Sequence, residues 1–190
     1  MLKIAHRINT IDQLKAVDPK YGVEIDLRSQ GEKLILHHDP FVEGTDFEEW
    51  LSHYNHSLII LNTKEEGLEE RLLETMKAHD IENYFFLDLS NPFLIKYGKL
   101  GLKKAAVRYS EYEPVESVKP VAHMFDWLWI DCFNDLYLLD SDYEYLSKNF
   151  KLCLVSPELQ GHPKSWIEEF KTKLGDKKLD AVCTKFPELW

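Results

Sequence analysis

Apolar residues recur along this chain at two spacings, one extended and one helical. Leu2 to Ala5 is a short apolar run that stops at His6-Arg7. Thr10 with Gln13 forms a capping-box pattern, and Ile11, Leu14 and Val17 supply the stripe of a short helix. Val23, Ile25 and Leu27 then alternate with Glu24, Asp26 and Arg28. Successive side chains of a strand point to opposite faces, so two carboxylates and a guanidinium share one face. Ser29-Gln30-Gly31-Glu32 predicts a hairpin turn, with Gly31 free to take a positive φ. The return run, Lys33 to Leu36, delivers His37-His38-Asp39-Pro40.

Beyond the hairpin the two spacings alternate. Helical patterns are predicted at 46–54, 67–79, 92–100, 141–150 and 164–174. Apolar runs predict strands at 57–64, 84–90, 104–110, 127–133, 151–155 and 179–184, while 111–126 is irregular. With the hairpin return left out, eight core strands result. Strands alternating with helices favour parallel pairing, and eight such units close into a compact (β/α)8 barrel. An open doubly wound sheet is the alternative. No repeat or linker interrupts 1–190, so a single α/β domain is expected.

The 190 residues suffice for one full core, and a composition of 44% hydrophobic and 29% charged residues is that of an ordinary globule. No stretch is long and apolar enough to span a bilayer, and the start lacks the apolar core of a signal peptide, so a cytoplasmic location is expected. The net charge of −10 argues against binding nucleic acid through a global basic field, yet leaves room for a small anionic substrate. Cys132, Cys153 and Cys183 lie in apolar runs without a C-x-x-C spacing, which reads as buried reduced thiols.

Polar residues gather at the carboxyl ends of the predicted strands, where catalytic groups of such barrels sit. They include His6-Arg7, Glu24 with Asp26 and Arg28, Asn62 with Lys64, Asp88 with Ser90, Arg108 with Ser110, and Asp131. Pairs two residues apart aim at a common axis. Glu24 and Asp26 offer hard oxygen ligands suited to Mg²⁺ or Ca²⁺. His6 and His38 could act as a base and acid pair near neutral pH. Arg7, Lys64 and Arg108 would neutralise a phosphate. A hard cation, two imidazoles and fixed cations together describe phosphodiester cleavage. Asp39 could orient a histidine or cap the turn before Pro40.

Three segments resemble the glycerophosphodiester phosphodiesterase family. Ile4-Ala5-His6-Arg7, Val23-Glu24-Ile25-Asp26 and Leu36-His37-His38-Asp39-Pro40 are similar to its A-H-R-G, E-x-D and H-D-P motifs, in order and at fitting spacing. A weaker likeness, Asp180 to Pro187, is similar to its closing motif. The resemblance implies a phospholipase C-like barrel, with His6 and His38 as the two histidines and Glu24 and Asp26 as metal ligands. Asn62-Thr63-Lys64 is similar to the third-strand E-x-K, which adds Asn62 as a metal ligand and turns Lys64 to the phosphate.

Departures from the pattern are equally specific. Asn62 replaces an acid, Ile8 replaces the glycine after His-Arg, and Lys185 stands for the closing Asp. Only residues 41–56 separate H-D-P from the third strand, so the insertion that helps many relatives hold glycerol is absent. The expected activity is metal-dependent hydrolysis of a small-molecule or glycan-linked phosphodiester. The alternative is a weak or inactive barrel that binds a phosphorylated ligand. The sequence leaves the oligomeric state open.

Overall fold

The structure, a computed structural model, describes residues 1–190. It is a mixed α/β fold. The strands are β1 (Leu2–Ala5), β2 (Gly22–Gln30), β3 (Lys33–Leu36), β4 (Thr45–Asp46), β5 (Ile59–Thr63), β6 (Tyr84–Leu87), β7 (Ala106–Tyr109), β8 (Trp127–Ile130), β9 (Lys151–Val155) and β10 (Ala181–Thr184). The helices are α1 (Ile11–Ala16), α2 (Phe47–Leu51), α3 (Glu69–Ala78), α4 (Asn91–Lys99), α5 (Val115–Val118), α6 (Asp140–Asn149) and α7 (Trp166–Leu174). No helix is long and apolar enough to cross a membrane.

The chain divides into two compact units, Ala5–Lys96 and Met1–Ile4 with Tyr97–Trp190. In the first, β2 is the central strand. It pairs antiparallel with β3 and parallel with β5, and β5 pairs parallel with β6. Val23, Ile25 and Leu27 are fully buried on one face of β2. The turn after β2 places Gly31 at φ 63°, a left-handed conformation that glycine adopts without a Cβ penalty. Leu27 and Leu36 pair across the hairpin, and the His37 N–H donates to the Asp26 carbonyl. The 41–44 loop closes against β3 so tightly that a Cβ on Gly44 would meet the Leu36 carbonyl oxygen at 2.7 Å.

Local signals explain the helices. Thr10 and Gln13 form the expected reciprocal cap of α1. Asp46 caps α2 by accepting from the Glu48 and Glu49 N–H groups. In the second unit β7, β8, β9 and β10 pair in parallel in that order, with β1 beside β10. Cys132, Cys153 and Cys183 are all buried, as their apolar context predicts.

The expected closed (β/α)8 ring needs one correction. β6 pairs only with β5, and β7 only with β8, so the ladder is open at those two edges. Hydrophobic spacing reports which side chains are buried, not whether the backbone edges of two strands meet. Two strands also end earlier than their apolar runs predict: β6 stops at Leu87 rather than at 90, and β8 at Ile130 rather than at 133.

Candidate active site

The first unit brings six of the eight sequence-selected residues into one network. Alternation along β2 turns Glu24 and Asp26 to the same face. In the parallel register Asp26 lies opposite Asn62, which directs Asn62 and Lys64 toward that face from β5 and its end. His6 and Arg7 follow β1, and the Ile8 N–H donates to the Glu24 carbonyl at 2.8 Å, which docks this turn on β2. Arg7 has φ 58°, a left-handed conformation rare for a residue with a Cβ. The family pattern carries its glycine one position later, where Ile8 stands.

Glu24 is fully buried. It accepts hydrogen bonds from Asn62 Nδ2 and from the Arg7 N–H, both at 2.8 Å, and lies 3.6 Å from His6 Nε2. Burial away from water, with the Asp26 carboxylate as a second cause, pushes its pKa up from 4.5 to about 7. Asp26 is buried beside it. Asn9 brackets Asp26: its amide donates to Oδ2 at 2.8 Å, and its carbonyl accepts the Asp26 N–H at 2.9 Å. Lys64 Nζ is 3.1 Å from Asp26 Oδ1 and 3.5 Å from Asp88 Oδ2, and Arg7 Nε is 3.6 Å from Asp26 Oδ2.

His38 leaves the hairpin one residue beyond the bond that ties His37 to Asp26. Its Nδ1 lies 2.8 Å from Asp39 Oδ1, and that hydrogen bond holds the Asp39 pKa below the usual carboxylate range. An ionised carboxylate only accepts, so His38 Nδ1 carries the proton and Nε2 is the nitrogen that can exchange one. Asp39 therefore orients the imidazole, which resolves the two roles its sequence position allowed. Arg28 fixes the same loop from behind. Its Nε and Nη2 donate to the His38 carbonyl at 3.1 and 2.9 Å, and its Nη1 reaches the Lys64 carbonyl at 3.4 Å.

Arg108 is placed in the second unit, on β7. Its guanidinium donates to Asp131, whose other oxygen accepts from Gln160 at 2.8 Å. One contributor, Asn9, and one attachment, that of Arg28, are not predicted by the sequence. Asn9 falls in an irregular segment, where no periodicity flags an inward side chain. Arg28 was legible as sharing the acidic face, but its attachment to two backbone carbonyls was not.

No three His, Cys, Asp or Glu side chains are arranged to hold a metal ion. The oxygens present nevertheless suit a hard divalent cation. Asn62 Oδ1 and Asp26 Oδ1 are buried and accept no hydrogen bond, the Lys64 ammonium meeting Asp26 only as an ion pair. Buried acceptors are normally satisfied, and a desolvated carboxylate beside them adds charge that a cation would offset. Glu24, Asp26 and Asn62 are the residues that would hold it.

No family model matches the chain, and no curated protein matches it in sequence. Solved structures do match its fold. One is a protein of Agrobacterium tumefaciens str. C58 assigned as a glycerophosphoryl diester phosphodiesterase, with TM-score 0.73 and 14% identity over 100% of this chain and 95% of that one. A glycerophosphodiester phosphodiesterase from the same strain gives TM-score 0.70 at 10% identity, covering 100% and 99%. A glycerophosphoryl diester phosphodiesterase of Parabacteroides distasonis ATCC 8503 gives 0.66 at 12%, covering 99% and 84%. Across its whole length, then, the chain has the fold of glycerophosphodiester phosphodiesterases, the family its His6-Arg7, Glu24-Ile25-Asp26 and His38-Asp39-Pro40 motifs resemble.

Proposed function

We propose that this chain is a metal-dependent phosphodiester hydrolase acting on a small-molecule or glycan-linked phosphodiester. The observation that carries the reading is the network of His6, Arg7, Glu24, Asp26, Asn62 and Lys64 at the ends of neighbouring strands. The fold shared with known phosphodiesterases supports it.

Each residue has a chemical task in this reading. Arg7 and Lys64 offset the charge of the phosphate; both already face the Asp26 carboxylate. His38, with its Nδ1 proton held by Asp39, exchanges a proton through Nε2 with an alcohol oxygen of the diester. His6, beside Glu24, is the second proton-transfer group. Glu24, Asp26 and Asn62 would hold Mg²⁺ or Ca²⁺, which supplies Lewis-acid polarisation of the phosphoryl oxygen when bound.

Phosphorus NMR of a diester panel with Mg²⁺ or Ca²⁺ tests the reading. His6→Ala and His38→Ala should each lower the rate by about 10²–10⁴-fold. Activity equal to that of the unaltered protein would reject the assignment. A second reading, a binder of phosphorylated ligands without turnover, is favoured by the amide at Asn62 where an acid would raise cation affinity. Calorimetry separates the two: phosphate-ester binding that ignores divalent cations, with no hydrolysis, selects the binder.

A further inference from the structure

Immediately after His38-Asp39 the chain presents Phe41 to solvent with its side chain fully exposed. Phe41 also has φ 63°, the left-handed region that a bulky side chain occupies only at a cost. Folding thus holds a large apolar ring outward in a strained backbone, within three residues of a proposed catalytic imidazole. Beneath it lies a cavity of about 370 Å³ walled by Arg28, Ile35, Pro40, Phe41, Glu43 and Glu65. That volume is within the ~300–1,000 Å³ of small-molecule sites.

We propose that this cavity is a subsite for one alcohol of the diester, and that the alcohol is a polyhydroxylated ring, a sugar. The inference rests on the phosphodiesterase reading and deepens it. Three features select the ligand. Arg28 both lines the cavity and holds the His38 carbonyl, so the space adjoins the proposed site. Arg28 and Glu65 face each other at 4.0 Å, and Glu65 is further engaged by the Ser29 N–H at 2.6 Å. They therefore offer fixed donors and acceptors of both signs, which suit hydroxyls that both donate and accept. Phe41, with Pro40 beside it, supplies the apolar wall on which the C–H face of a sugar ring packs. An acyl chain would desolvate the charges of Glu43, Glu65 and Arg28 and offer them no hydrogen bonds in place of water.

Two fluorogenic diesters with the same methylumbelliferyl group test this, one carrying glucose and the other methyl. Phe41→Ala and Glu43→Gln should each lower the glucose-to-methyl ratio of kcat/KM by about tenfold, equivalent to about 1.4 kcal/mol. An unchanged ratio overturns the subsite. If neither diester is hydrolysed, the phosphodiesterase reading fails, and saturation-transfer NMR with glucose 1-phosphate decides the subsite alone. Transfer to the ring protons that Phe41→Ala abolishes supports it; transfer that is absent, or indifferent to Phe41, overturns it. Sedimentation with phosphatidylcholine vesicles that depends on Phe41, with no effect on the ratio, would instead make the ring a membrane contact and overturn the sugar site.

Discussion

Replacing Glu24 by glutamine should make the metal-free protein more stable at alkaline pH, although it removes a residue of the proposed site. Glu24 is fully buried, and its pKa rises from 4.5 to about 7 on folding. Between those values the folded state binds more protons than the unfolded chain, so stability falls as pH rises through the interval. It is highest below about pH 4.5 and levels off above about pH 7. A shift of that size corresponds to about 3 kcal/mol. Glutamine does not ionise, so Glu24→Gln escapes this loss.

The local hydrogen bonding can also adapt. Asn62 donates to Glu24 through Nδ2 and keeps Oδ1 buried without a partner. Turning the Asn62 amide over would let Oδ1 accept from the new amide, while the new carbonyl accepts from the Arg7 N–H. Calorimetric melting in chelator at pH 5 and pH 8 measures the effect. The unaltered protein should lose about 5–10 °C relative to Glu24→Gln over that range, since pH 5 to 8 spans about 2.5 kcal/mol of the shift at ~2–4 °C per kcal/mol for a domain of this size. Adding Mg²⁺ or Ca²⁺ at pH 8 should recover stability in the unaltered protein and not in the variant. Parallel pH profiles for the two proteins would refute the desolvated carboxylate whose charge the proposed cation offsets.

Other positions carry separate expectations. Asn62→Asp restores a third acid, so divalent-cation affinity measured by titration calorimetry should rise by about tenfold or more, while metal-free stability falls at neutral pH. Asp39→Asn leaves His38 in place but removes the carboxylate that fixes its Nδ1 proton; kcat should fall by about 10²-fold with KM little changed, and His38→Ala should abolish that difference. Asn9→Ala strips both hydrogen bonds from the buried Asp26, and urea unfolding should show a loss of about 1–3 kcal/mol.

Much of the site was legible because β-strand alternation is strict. Once Val23, Ile25 and Leu27 are assigned to the core, Glu24 and Asp26 must face the other way. The same argument fixes Asn62 against Asp26, since a parallel register couples the two strands. The hairpin to His38 was readable because Gly31 marks the turn. Closure of the barrel was not, because the outer edges of β6 and β7 have the same apolar character whether or not they pair. Nor could alternation reveal Asn9 or the Arg28 clamp, since both depend on where irregular backbone returns to a strand. Arg108 met the same strand-end criterion as Lys64, but criteria of that kind do not reveal that its guanidinium is engaged by Asp131.

Glu24, Asp26 and Asn62 make up the proposed cation site, with His6 beside Glu24 and Lys64 beside Asp26. Anomalous diffraction from crystals soaked with Mn²⁺ and phosphate tests it most directly. The expected result is a single strong metal peak at about 2.0–2.3 Å from oxygens of all three residues, with phosphate density touching Lys64 and an imidazole. Manganese bound only at other carboxylates, with Asn62 Oδ1 still lacking a partner, would contradict it.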